Sequence, residues 1–253
     1  MAIGYRRSIK GYNAGLSDGA RRLRALGIDT SDPDLTLLLF MGQKTADGRL
    51  KDLSQYGNHG TIYGATLHPA KKYYMRQNGV NEPIGSYYFD GIDDFVEFQP
   101  SPSLLNGYDG VSISVVAGGG QISDYSGFWN ESGSYDNRFM LFKRQQAMVQ
   151  WIVDGATQTA TTDMLDLSGF NHFFAKIKPD DEIAIWVNGK KEATLTIGSP
   201  LIIYNYNVKW VGKGYSTTYY HYGQIRYLAR YSRAFTDAEI KKEYEMLRPL
   251  LEE

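Results

Sequence analysis

The chain has 253 residues, 42% hydrophobic and 22% charged, with 27 Gly, 20 Tyr, no Cys and a formal net charge of -1. A chain of this length forms one globular domain, or one with a small appendage, and buries roughly 75% of its unfolded surface without help from disulfides or structural metal. The lack of Cys excludes thiolate zinc sites, thiol nucleophiles and disulfide frameworks, and the near-neutral charge speaks against a dedicated nucleic-acid binder.

Residues 1–34 stand apart from the rest. They hold Arg6, Arg7, Lys10, Arg21, Arg22 and Arg24 against Asp18, Asp29, Asp32 and Asp34, which leaves +2 on this arm and -3 on residues 35–253. No apolar stretch follows Arg6, Arg7 and Lys10, so no secretory signal is visible. Asp18 is placed to cap a short helix through Ala20, Leu23 and Leu26, with Gly27 as its stop. The longest apolar run, Leu37 to Met41, is far below the ~18 residues that span a bilayer and reads as one buried strand.

From Leu35 onward, short apolar or alternating runs are separated by Gly, Asn, Asp and Pro, the pattern of an all-β sandwich or barrel. Strands are expected at 35–41, 87–89, 95–98, 111–116, 139–142, 148–153, 171–178, 183–187, 192–196, 201–206, 208–211 and 224–231. Asn188-Gly189 is a hairpin turn, because both residues accept positive φ at low cost. In residues 204–210 the even positions Tyr204, Tyr206, Val208 and Trp210 share one strand face, which is expected to be core. Thr236-Asp237-Ala238-Glu239 is a capping box followed by Ile240, Tyr244 and Leu247 at helical spacing. The helix so predicted covers one end of the sandwich and stops near Pro249.

Three segments, in order, resemble the laminin-G-like (concanavalin A-like lectin/glucanase) family. Asp52-Leu53-Ser54-Gln55-Tyr56-Gly57-Asn58-His59-Gly60-Thr61 looks like the family's opening loop. Tyr88-Phe89-Asp90-Gly91-Ile92-Asp93-Asp94-Phe95-Val96, followed by Ser101-Pro102-Ser103-Leu104, matches its second signature. Trp186-Val187-Asn188-Gly189-Lys190, then Gly223-Gln224-Ile225, then the run from Ser232 to Ile240 matches the third. The resemblance spans about 200 residues, omits the arm, and implies an all-β, two-sheet antiparallel jelly-roll sandwich with a short C-terminal helix and an N-terminal extension. The chain departs from the family at Arg226-Tyr227, where relatives carry an acidic pair, and at Ser112–Ala117, where they place a Trp.

The chemistry that could sit on this frame is limited. Laminarinase-type relatives carry E-x-D-x-x-E on a strand, with alternating carboxylates as nucleophile and acid, and this chain has no such motif. Asp180-Asp181-Glu182 reads as a loop, the four His lack chelating spacing, and there is no nucleophile elbow or P-loop. Asp52, Ser54 and Asn58, with Asp90, Asp93 and Asp94, are the hard oxygen donors calcium would require, and the alternative is that these acids hold their turns. His59 is expected to hydrogen-bond within its loop. Tyr215, Tyr219, Tyr220 and Tyr222 lie in a Gly-, Ser- and Thr-rich segment, where exposed rings suit contact with a sugar or a protein.

These features point to a non-enzymatic structural and recognition protein of a virus particle, a capsid decoration or a tail or adhesin component. In that reading the arm joins other virion subunits in an oligomer, and glycans are bound without membrane or nucleic acid. The alternative is a free, extracellular or cell-surface lectin, calcium-dependent or not, and a glycoside hydrolase with dispersed carboxylates stands last.

Overall fold

The computed structural model describes residues 27–68, 74–77, 80–83, 85–105, 110–119, 126–134, 137–143, 146–153, 156–163, 169–178, 181–197, 208–215 and 219–252. The arm helix, the basic residues Arg6, Arg7, Lys10, Arg21, Arg22 and Arg24, and the strand expected at 201–206 lie outside these residues.

In chain order the strands are β1 (Leu35–Phe40), β2 (Thr61–Tyr63), β3 (Thr66–His68), β4 (Tyr74–Gln77), β5 (Val80–Pro83), β6 (Ser86–Asp90), β7 (Phe95–Phe98), β8 (Val111–Gly118) and β9 (Ser126–Ser134). They continue as β10 (Asn137–Lys143), β11 (Ala147–Val153), β12 (Ala156–Thr161), β13 (Phe170–Lys178), β14 (Glu182–Val187), β15 (Lys190–Thr196), β16 (Val208–Val211) and β17 (Tyr222–Tyr231). A single turn of helix, α1 (Pro102–Leu105), follows β7, and α2 (Asp237–Leu247) follows β17.

Two antiparallel sheets face each other. One has the order β15-β14-β13-β8-β17-β6-β3, and the other β12-β11-β10-β9-β16-β7-β2, while β4 and β5 form a separate hairpin. The long β17 pairs with β8 along one edge and divides its other edge, giving Tyr222–Ile225 to β6 and Tyr227–Tyr231 to β1. This is the jelly-roll sandwich that the sequence implies.

The central strands of the first sheet, among them β1, β8, β13 and β14, are buried on both faces, which explains why they read as nearly continuous apolar runs. Leu37, Leu39, Phe173, Ala175, Ile183 and Ile185 point between the sheets, where they meet Val96, Phe98, Trp129, Leu141 and Val149 of the second. Leu38, Phe40, Phe174, Trp186, Tyr227 and Tyr231 point the other way, against Phe235, Ile240, Leu247 and Leu250. Helix α2 therefore covers a face of the sandwich and not one end. Each of Ile240 and Leu247 contributes about 1.5–3 kcal/mol by leaving water. Thr236 Oγ1 accepts from Glu239 N and Glu239 Oε2 from Thr236 N, so the expected capping box forms. The α-helix ends at Leu247, near Pro249 as expected, and a 3-10 turn follows over Arg248–Leu251. No helix among the described residues is long and apolar enough to cross a membrane.

Asn188 (φ 49°) and Gly189 (φ 76°) make the expected hairpin turn between β14 and β15. Ile28 is buried in the helix-side core, and Asp34 O accepts from Ser232 N, so the packed body includes residues 28–34 of the segment the charge pattern set apart. Where relatives carry an acidic pair, the Arg226 guanidinium lies 3.4 Å from the Phe170 ring centroid and donates to Leu250 O and Glu252 O, while Tyr227 OH donates to Glu243 Oε1. The departure from the family pattern thus ties the C-terminal segment to the sheet.

Candidate functional site

The turn between β6 and β7 is held by its own carboxylates. Asp90 Oδ1 accepts from Ile92 N at 2.8 Å and Asp93 N at 3.3 Å, and Asp94 Oδ2 accepts from Asp90 N at 2.9 Å. Gly91 (φ 78°) supplies the left-handed residue that the reversal needs. Gly64 (φ 70°) packs so closely beneath the turn that a Cβ there would overlap Asp94 Oδ1. Burial, and then the charges of Asp90 and Asp93, push the Asp94 carboxyl upward against the favourable Asp90 N–H. Ile92, at the tip, is 72% exposed.

Asp90, Asp93 and Asp94 offer carboxylate oxygens that all lie within 4.8 Å of one another. They would suit one side of a calcium ion, which takes six to eight oxygens, with backbone carbonyls and water completing the shell. Asp52 and Asn58, also expected as ligands, are spent elsewhere. Asp52 Oδ1 accepts from Leu38 N and Ser54 N, and Oδ2 from Ser54 Oγ and Asn58 N. Asn58 Nδ2 donates to Thr36 O and its Oδ1 accepts from Ser101 Oγ, while His59 Nδ1 accepts from Asp52 N. This loop is a clasp on β1, a structural role that removes Asp52 and Asn58 from the cation set.

Beside the acidic turn lies a rim of aromatic rings. Phe95, the first residue of β7, stacks on Tyr63 of β2 with centroids 4.5 Å apart and planes at 14°. Trp210 of β16 and Tyr220 complete the cluster, at 6.3 and 6.4 Å from Phe95. Lys213 Nζ sits among these rings, 4.4 Å from the centroids of Phe95 and Trp210 and 5.2 Å from that of Tyr220. The ring quadrupoles attract the ammonium and fix it over the rim. Glu97 accepts from Trp210 Nε1 at 3.3 Å and Tyr63 OH at 3.4 Å, adding a carboxylate to the same surface. Tyr63 is 42% exposed.

The tyrosines expected as contacts divide. Tyr220 is only 8% exposed and supports the cluster from below, which corrects its expected place on the surface. Tyr215 and Tyr219 are half-buried and meet edge to face at 5.1 Å. Tyr222, also half-buried, crosses Tyr88 at 5.8 Å, and Tyr88 stacks on His68. The Tyr88 hydroxyl is pushed up to about 12 by its hydrogen bond with Tyr222, then by burial.

The face expected as core in 208–211 is reversed. Lys209 and Val211 are fully buried between the sheets, and Trp210 is half-exposed on the outer surface. Lys209 reaches Glu131 Oε2 at 3.5 Å, and Arg230 Nε donates to Glu131 Oε1 at 2.6 Å. Trp129 Nε1 donates to the same carboxylate and Arg230 Nη1 to Thr36 Oγ1. Burial pushes the Glu131 carboxyl up, but Arg230 and Lys209 outweigh it and hold it below the usual range. An ion cluster occupies a position that alternation assigns to an apolar side chain.

Asp181 pairs with Lys178, and Glu182 with Lys176 and Lys191, so the described part of the acidic run at 180–182 is neutralised locally. Ser114 Oγ and His172 Nε2 stand 2.9 Å apart, a nucleophile-to-base distance, yet both side chains are fully buried on the helix-side face. Burial holds the His172 imidazole down at about 3, which leaves it neutral, and its Nδ1 has no hydrogen-bond partner among the described residues.

A family model described as the concanavalin A-like lectin/glucanases superfamily matches residues 88–241, more than half of the chain. No curated protein matches the chain by sequence. Among solved structures, the binding domain of botulinum neurotoxin DC in complex with rat synaptotagmin II superposes with a TM-score of 0.60 at 13% identity, over 85% of this chain and 52% of that one. The binding domain of botulinum neurotoxin DC in complex with SialylT gives 0.61 at 12% identity, over 87% and 52%. A botulinum neurotoxin type C structure, whose cell entry is described as dependent on two ganglioside molecules, gives 0.61 at 12% identity, over 85% and 51%. This chain thus spans about half the length of these structures, and at such identities the likeness is one of fold.

Proposed function

The chain belongs to the concanavalin A-like lectin/glucanases superfamily, and from that premise we propose that it is a non-enzymatic recognition protein that binds glycans at the aromatic rim beside the Asp90–Asp94 turn. The observation that carries this reading is the open stack of Tyr63 on Phe95, flanked by Trp210, with Lys213 and Glu97 on the same surface. Aromatic faces take the apolar side of a sugar ring, and the lysine, carboxylate and tyrosine hydroxyl give hydrogen bonds at the edge of the platform. The SialylT complex and the ganglioside-dependent cell entry of the two structural neighbours lend support by analogy of fold alone. Calcium at Asp90, Asp93 and Asp94 would order the turn next to the platform.

Its place in this proposal is a virus particle, as a decoration or a tail or adhesin component. The support is the separation of charge, with six basic residues concentrated before residue 25 and an acidic excess in the body, which suits a segment for assembly joined to a module for recognition. The protein oligomerises or docks on other subunits through that segment.

A glycan array, run with calcium and with chelator, tests the rim. Binding that Trp210→Ala removes supports the site, and an array without any ligand in either condition refutes the glycan reading. Sedimentation with particles lacking the protein tests the second part, which fails if the purified chain stays monomeric and does not bind them.

A further inference from the structure

The second sheet ends on β12, and no strand among the described residues pairs along its far side. An open edge is a template for another strand, and folded chains blunt such edges with short length, charge, proline or a bulge. The other outer strands do so. β2 and β3 are only three residues long, and β15 carries Lys190, Lys191 and Glu192, with a register irregularity against Ile185 and Trp186. β12 has none of these devices. It reads Ala156-Thr157-Gln158-Thr159-Ala160-Thr161, and its register with β11 is unbroken from Thr161 opposite Met148 to Ala156 opposite Val153.

The alternation of the antiparallel ladder fixes which groups face outward. Thr162 N donates to Ala147 O, so residue 162 bonds toward β11, and with it every second residue back along the strand, Ala160, Gln158 and Ala156. Thr157, Thr159 and Thr161 therefore turn their N–H and C=O toward the open side. Their side chains share the outer face of the sheet, because Ala160 of the other set is buried in the core with Val149. Thr157 and Thr161 are exposed, and Thr159 is half-buried with its Oγ1 accepting from Gln150 Nε2 at 3.3 Å.

We propose that β12 pairs antiparallel with β12 of a second copy of this chain, about a two-fold axis through Thr159. Self-complementarity selects this occupant. The laddered segment runs from Ala156 to Thr162, and Thr159 is its midpoint. With Thr159 opposite Thr159 of the second copy, Thr157 meets Thr161 of the second copy and Thr161 meets Thr157, so each outward residue exchanges both backbone hydrogen bonds with another threonine. Cross-strand threonine pairs are favourable, and on the inner face Gln158 meets the small Ala160. A shift of one residue would set outward groups against groups already bonded to β11, and a shift of two would leave a threonine facing a residue beyond the segment. The axis stands perpendicular to the sheet, so the outer faces of both copies look the same way and the two Trp210 side chains lie on the order of 40 Å apart. Two rims on one side hold a surface that repeats its ligand more firmly than one rim does. That gain rests on the glycan reading, whereas the pairing itself does not.

The chain has no Cys, so a single introduced thiol reports the register. Thr159→Cys sets two Cα atoms about 5.5 Å apart, within disulfide reach, and should give a disulfide-linked dimer under mild oxidation. Thr157→Cys alone should not, its copies being about 14 Å apart, whereas a mixture of Thr157→Cys with Thr161→Cys should cross-link. Sedimentation of the full chain from about 1 to 200 µM should show a monomer–dimer equilibrium, weakened at least tenfold by Thr159→Lys, which sets like charges directly opposite. Thr159→Val should keep the dimer. A wild type that stays monomeric over this range, a dimer that Thr159→Lys leaves intact, or equal cross-linking of Thr157→Cys and Thr159→Cys overturns the proposal. A glycan array without ligand leaves the dimer standing, and a chain that binds glycan as a monomer refutes the pairing alone.

Discussion

Arg230 Nε donates to Glu131 Oε1 at 2.6 Å from the opposite sheet, so an ion pair with both partners at most 2% exposed bridges the two halves of the sandwich. Lys209 shares the carboxylate. Removing the anion takes from two buried cations the carboxylate they share, and breaking a buried pair in this way costs about 3–5 kcal/mol. Glu131→Ala should therefore lower stability by about that amount in urea unfolding, with little dependence on salt because water does not reach the cluster. Replacing all three charges with apolar side chains of similar volume should restore most of the loss. A single substitution costing less than about 1 kcal/mol would show that the cluster holds nothing together.

The helix-side network carries two opposed pH dependences. Glu243 titrates at about 7 in the folded chain, above an unfolded carboxyl, so its contribution to stability is complete at low pH and is lost as pH rises toward 7. His172 titrates at about 3, below an unfolded imidazole, so its contribution is complete above about 6.5 and is lost as pH falls. Between about pH 4.5 and 6.5 the two oppose each other. Glu243→Gln should leave a thermal midpoint that falls on acidification across this window, and His172→Gln one that rises. Two variants with the slope of the wild type would contradict the assignment.

Gly64 is required twice, by its φ of 70° and by the carboxylate of Asp94 above it. Gly64→Ala should displace Asp94 Oδ2 from Asp90 N and cost about 1–3 kcal/mol. Amide exchange at Asp90, Ile92 and Asp93 should quicken more than exchange in β13. Unchanged protection in the turn would mean that the carboxylate hydrogen bonds do not hold it.

At the rim, Trp210→Ala and Tyr63→Ala should each reduce affinity for any array-identified glycan by about tenfold, the scale of a lost aromatic contact. Tyr63 is exposed enough that its replacement should shift the thermal midpoint little. Tyr220→Ala should lower stability instead, because that ring is buried under Lys213. A Tyr63 variant with full affinity would remove the stack from the site.

Much of the frame is legible from local rules. The Asn188-Gly189 turn, the Thr236 capping box and the buried runs of β1, β13 and β14 each follow from a few adjacent residues. β9 and β12 escape notice because Ser126–Ser134 is rich in Ser and Gly and Ala156–Thr161 is small and polar, so neither carries an apolar alternation. The inverted face of β16 has another cause. Lys209 reads as solvent-facing until Glu131, 78 positions earlier in the chain, is brought to meet it, and only then does Trp210 point outward. The rim was partly legible for the same reason. Of the concentrated run Tyr215, Tyr219, Tyr220 and Tyr222 only Tyr220 reaches the rim, by its contact with Phe95, and Tyr63 meets Phe95 only through the pairing of β2 with β7.

The division of β17 between β8, β6 and β1 has a consequence during synthesis. Thr36 and Arg230, hydrogen-bonded neighbours across β1 and β17, are separated by 194 positions, so the ribosome releases the central strand long after β1, β6 and β8. Until then β1, β6 and β8 wait with open edges, and the sheet has no middle. Pairings between such distant strands form slowly and expose sticky edges meanwhile. Ribosome-bound chains truncated before Tyr222 should accordingly associate with holdase chaperones, and chains extended past Glu252 and clear of the exit tunnel should shed them.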